Sequence, residues 1–129
     1  MPRPASRYPT DLELEILKIL WQRGPSTVRQ VRDTLAAERD LAYTSVMTMM
    51  SIMAEKGYVR RRKTKGSYVY RPVLEQQSAA GAMLSDVVNR VFDGSAAAAA
   101  VHLLESAQID ESELQELQRL LERKGEANS

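Results

Sequence analysis

The sequence predicts a mainly α-helical protein, in which a winged helix-turn-helix of three helices and a two- or three-stranded wing precedes a C-terminal three-helix dimerisation domain. Three observations carry this reading. Up to Lys56 the apolar residues recur at helical spacing in three short stretches; between Gly57 and Pro72 they alternate; beyond Pro72 helical spacing returns. The charge divides at the same place: residues 1–73 hold 14 Lys and Arg against 7 Asp and Glu, residues 74–129 hold 4 against 10, and the net +1 is a cancellation of the two. The aromatics follow suit, since Trp21 and all five tyrosines precede Val73 and only Phe92 follows it. The domains are accordingly expected at 1–73 and 74–129.

Taken in order, Thr10 and Glu13 form a capping-box pattern opening a first helix, with Leu12, Ile16, Ile19 and Leu20 on one face and Leu14, Leu17 and Trp21 on another. Burial on two sides is expected. Gly24-Pro25 stops it, and Ser26 is read as the N-cap of a second helix carrying Val28, Val31 and Leu35. A third helix is read from Thr44 to Lys56, apolar at Val46, Met49, Met50 and Met53, and ended by Gly57. Two strands, Tyr58–Lys63 and Ser67–Arg71, flank a Thr64-Lys65-Gly66 turn, and Pro72 closes the unit. Helices from Glu75 to Phe92, from Ala96 to Ser106 behind the N-cap Ser95, and from Asp110 onward complete the pattern.

Composition excludes several classes of function. With no cysteine there is no disulfide, thiolate metal site or cysteine nucleophile, and a single histidine, His102, leaves neither a histidine metal site nor a Ser-His-Asp triad easy to build. The chain is read as no enzyme, with no cofactor and no metal. The stretch Met1–Tyr8 has no apolar run behind its charges, and the longest apolar run, Ala96–Val101, is far short of the ~20 residues of a membrane span. A cytoplasmic protein without membrane insertion is expected.

A helix fits the major groove, and a basic hairpin beside it can lie along phosphates. Arg60, Arg61, Arg62, Lys63 and Lys65 crowd the hairpin, and Thr44, Ser45, Met47, Thr48, Ser51 and Ile52 occupy the side of the third helix away from its apolar stripe. The hydroxyls suit phosphates or base edges, and Met47 suits thymine methyls. The helix lacks the Arg, Asn or Gln of a bidentate base contact. In the acidic arm, Met83, Val87 and Val91 run beside Leu84, Val88 and Phe92, and Leu103, Leu104, Leu114, Leu117 and Leu121 add further apolar surface. Short helices with such stripes need a partner surface, which a symmetric dimer supplies. Two classes of function besides a DNA-binding repressor fit the residues: a winged-helix protein-interaction module, and a regulator that responds to a small molecule.

The stretches Pro9–Trp21, Thr27–Val31, Leu41–Met49 and Ala54–Val59, and after them Tyr68–Pro72, Phe92–Ser95 and Val101–Glu105, resemble the BlaI/MecI family of penicillinase repressors in order and over nearly the whole chain. The resemblance implies a homodimer that binds double-stranded DNA at a palindromic operator of a β-lactam-resistance or related stress operon. It also implies that Thr44, Ser45, Met47, Thr48 and Ser51 face DNA and that the basic residues after Gly57 form the wing. Where many relatives have an arginine, this chain has Ile52. The family's induction implies a BlaR/MecR-like membrane metalloprotease and cleavage at an Asn-Phe bond. The matching place here is His102-Leu103, and no Asn-Phe pair occurs in the chain. The cysteine motif of the copper-responsive branch is absent.

Overall fold

The computed structural model describes residues 8–127. Arg3 and Arg7, counted above in the basic half, and most of the stretch on which the absence of a leader was read lie outside the described residues. Helices α1 (Asp11–Arg23), α2 (Val28–Leu35) and α3 (Tyr43–Glu55) come first, with the two-residue strand β1 (Ser26–Thr27) between α1 and α2. The hairpin β2 (Val59–Thr64) and β3 (Ser67–Pro72) follows, then α4 (Gln76–Val91), α5 (Ala96–Ser106) and α6 (Glu111–Ala127). Two compact units result, one ending at Ser85 and the other beginning at Asp86.

In the first unit each helix contributes one stripe to a common core. Ile16, Leu17 and Leu20 of α1, Val28, Val31 and Leu35 of α2, and Val46, Met50 and Met53 of α3 close over Val59 and Tyr70 of the hairpin. Their i, i+3, i+4 and i+7 spacings put each set on one helix face. The Thr10 capping box forms: Thr10 Oγ1 accepts from the Glu13 amide at 3.4 Å, and Glu13 Oε1 accepts from the Thr10 amide at 2.9 Å.

Two expectations are corrected here. Ser26 does not cap α2; Thr27 does, in a second capping box with Gln30. The reason is that Ser26 is taken by the sheet, where it pairs with Tyr70, lies buried and donates its hydroxyl to the Gly24 carbonyl at 2.9 Å. The sheet is therefore three-stranded and antiparallel, in the order β1-β3-β2. The turn of the hairpin is the dipeptide Lys65-Gly66, both left-handed (φ 48° and 84°), with Thr64 paired opposite Ser67. Two left-handed residues match the twist of the strands they join, so Thr64 belongs to β2.

The first unit continues past Val73. Trp21 Nε1 donates to the Leu74 carbonyl at 2.9 Å, the amides of Val73 and Leu74 both donate to the Tyr58 carbonyl, and Ala79 of α4 is buried. The start of α4 is thus fastened to α1 and to the base of the wing.

Glu13 is 1% exposed, and its Oε2 lies 2.9 Å from Lys56 Nζ. Burial on its own raises a carboxyl pKa, but the Thr10 amide and hydroxyl and the Lys56 ammonium outweigh it and hold Glu13 below its usual value. A group depressed on folding stabilises the fold above its unfolded pKa of about 4.3 and loses that contribution as pH falls through the lower folded value. Lys56→Met strands a buried carboxylate, and urea unfolding at pH 7 is expected to show a loss of about 3 kcal/mol. The gap between variant and wild type should narrow below about pH 4.

The second unit is built from well-capped helices. Ser95 Oγ accepts from the Ala98 amide at 3.0 Å and Asp110 Oδ1 from the Glu113 amide at 2.8 Å, so Asp110 is the N-cap that opens α6, with Glu113 at N3. Between α4 and α5 the chain turns through Asp93 and Gly94, both with positive φ (50° and 83°), and the Gly94 amide reaches back to the Val88 carbonyl at 2.9 Å. That is the left-handed helix ending glycine favours. Neither α5 nor α6 contains a buried residue, and Val91, Leu103 and Leu121 are 67%, 55% and 65% exposed.

Candidate nucleic-acid interface

Helix α3 begins at Tyr43 behind Ala42, which offers no side-chain cap, and its first turn holds no acidic residue. The unpaired amides and positive dipole end of such a helix favour an anion. Thr44 and Ser45 lie exposed on that turn. Further along, Val46, Met50 and Met53 point into the core, which turns Met47, Thr48, Ser51 and Ile52 the opposite way. These four line a cleft bounded by Thr27, Val28 and Arg29 of the β1–α2 junction and by Arg61, Gly66, Ser67, Tyr68 and Tyr70 of the hairpin. The geometry is a helix face flanked on one side by a wing.

The hairpin does not present its cations as a single patch. Side chains alternate along a strand, so Arg61 and Lys63 share the face of buried Val59, opposite Tyr70 and Tyr68, while Arg60 and Arg62 share the other face, with Arg71 across from Arg60. Lys65 sits in the turn. Among the basic wing residues named from sequence, the structure brings Arg61 alone into the cleft lining. Its Nη1 donates to Ser51 Oγ and to the Tyr70 hydroxyl, each at 3.4 Å, and its guanidinium lies 4.7 Å from the centre of the Tyr68 ring. The bond to Tyr70, above all, raises the Arg61 pKa.

Residues that sequence reasoning did not name also line the cleft: Thr27, Arg29, Tyr43 and Tyr68. Tyr43 was legible, because it stands four residues before Met47 and eight before Ser51 on one helix row. Tyr68 and Arg29 reach the cleft through the register of β3 and the placement of α2, which local sequence does not encode. Ile52 is exposed and adds an apolar group to the cleft lining.

In the second unit His102 lies on exposed α5 with its ring 5.8 Å from that of Phe92, and its carbonyl accepts the Ser106 hydroxyl at 2.6 Å. Leu103 follows it within the same helix. Of the residues read as an interface, Leu84, Val87, Val91, Leu103, Leu104, Leu114, Leu117 and Leu121 are exposed, while Met83, Val88 and Phe92 are half-buried. Among the described residues, no helix is long and apolar enough to cross a membrane.

Residues 9–123 match the family model described as penicillinase repressor. Over 105 residues the chain is 38% identical to the transcriptional regulator BlaI of Mycobacterium tuberculosis strain H37Rv, covering 80% of this chain and 76% of that one. It is 24% identical over 113 residues to the penicillinase repressor of Bacillus licheniformis, covering 88% of each. To the methicillin resistance regulatory protein MecI of Mammaliicoccus sciuri it is 20% identical over 112 residues, covering 87% of this chain and 91% of that one.

Proposed function

As the chain belongs to the penicillinase repressor family, a family of transcriptional repressors and not of enzymes, we propose that it represses transcription as a homodimer bound to a palindromic operator in double-stranded DNA. The observation that carries this reading is the polar face of α3 laid beside a hairpin with Arg60, Arg61, Arg62, Lys63 and Lys65. In it Thr44, Ser45, Met47, Thr48 and Ser51 face the major groove, and the wing neutralises phosphates. Residues 1–73 hold the DNA-reading chemistry and residues 74–129 the apolar surface that a second copy covers.

Dimerisation is supported by the apolar side chains that α5 and α6 leave exposed in the single chain. Two-fold symmetry then sets the half-sites one helical turn apart, about 34 Å, or a multiple of it. The test of DNA reading is a salt titration with a duplex from upstream of the chain's own gene. Nanomolar-range binding is expected, with a log-log slope of about −0.9 per phosphate neutralised. Affinity no greater than for random DNA at every salt concentration would count decisively against a repressor.

Relief of repression of this cytoplasmic chain is assigned to proteolysis in the C-terminal region at or near His102-Leu103, brought about by a BlaR/MecR-like membrane metalloprotease. That bond lies inside α5, so a protease gains an extended substrate only when this short helix opens, as short exposed helices do readily. Mass spectrometry of the repressor from β-lactam-treated cells is expected to find a fragment ending within α5. An intact chain in fully induced cells would remove this route.

A further inference from the structure

The exposed face of α3 holds no Arg, Asn or Gln to donate to a base edge, yet a guanidinium lies in the same cleft. Three contacts hold Arg61 there: the Tyr68 ring at 4.7 Å, Ser51 Oγ at 3.4 Å and the Tyr70 hydroxyl at 3.4 Å. Tyr70 is 1% exposed, so its hydroxyl is a fixed anchor, and the Tyr68 ring restricts rotation of the planar group. Both hydrogen bonds are long, which lets them orient the side chain and still give way to a stronger acceptor. Both also use Nη1, so neither engages the Nε–Nη2 edge.

Resting on the DNA-reading role proposed above, we infer that Arg61 is the specificity-determining residue of the cleft and presents its Nε–Nη2 edge to O6 and N7 of a guanine lying beside α3. Arg60 and Arg62, on the opposite face of the hairpin, hold phosphates instead. The chemistry favours this division. Guanine alone offers two acceptors side by side in the major groove, and a planar fork fits them as a lysine ammonium does not. A phosphate clamp, by contrast, needs charge and reach but no fixed plane. The docking onto Ser51 and Tyr68 supplies a fixed plane, and it does so against the helix that enters the groove.

The inference separates arginine from lysine at one position. A panel is made from the upstream duplex by replacing each base pair of one half-site in turn, and dissociation constants are measured for the full-length wild type and for the variants Arg61→Lys and Arg32→Lys. For the wild type, one G·C position is expected to cost roughly 10- to 100-fold on replacement. Arg61→Lys should erase the penalty at that position and leave affinity for unrelated DNA within about twofold, because the charge is retained. The Arg32→Lys profile should match the wild type, because Arg32 pairs with Asp33 on the exposed surface and does not line the cleft, and all three proteins should melt alike. An Arg61→Lys protein that keeps every penalty overturns the inference while leaving the repressor reading intact. A flat wild-type panel overturns the repressor reading and the inference with it.

Discussion

The triple variant R60E/R61E/R62E is expected to lose operator binding by about a thousandfold or more near physiological salt, with an unchanged melting temperature. The magnitude follows from counterion release: contacts with several phosphates give affinities that change by orders of magnitude with salt, and reversing three cations both removes contacts and repels the backbone. The fold should tolerate the change. All three side chains are exposed, and Arg60 lies across the ladder from Arg71, so glutamate there replaces a like-charge pair with an opposite one. Retained binding in a folded variant would reduce the wing to a solvated edge and favour a protein-interaction module.

Leu117→Asp with Leu121→Asp is expected to convert a dimer into a monomer and to weaken operator binding by about 100-fold or more through lost bivalency. Each leucine buried at an interface contributes about 2 kcal/mol. Symmetry counts each twice, and the two aspartates add a desolvation cost. Together these raise the dimer dissociation constant by several orders of magnitude. Neither leucine belongs to a core in the single chain, since α6 contains no buried residue, so circular dichroism should report unchanged helix content per chain. Sedimentation of the variant as a dimer at micromolar concentration would show that the apolar stripe of α6 serves something else. The companion Leu117→Met with Leu121→Met should stay dimeric.

The helices were legible because each announces itself locally. Thr10 with Glu13, Ser95 before the alanine run, and the Val46, Met50, Met53 spacing all lie within a few residues of one another, and helix formation depends on such short-range pairs. What sequence did not reveal is what long-range pairing decides. Strand β1 is two residues long and has no alternation to detect, and its pairing with β3 moves the α2 cap from Ser26 to Thr27. Glu13 reads as a cap residue, and its burial against Lys56, far away in sequence, comes from how α1 packs on the end of α3. The run Arg60–Lys63 reads as one basic patch, whereas the ladder register divides it between two faces and puts only Arg61 in the cleft. Composition shifts at Val73, and the contacts of Leu74 and Ala79 that tie the following segment to the first unit are long-range pairings that composition does not encode.

In the proposed repressor a basic winged helix reads DNA in symmetric pairs. Selection by the full-length chain from a pool of random duplexes, sequenced after successive rounds, tests that most directly. The expected product is an inverted repeat with half-sites about one helical turn apart or a multiple of it, bound by two chains. Enrichment of no common sequence, or of a single half-site bound by one chain, would contradict it.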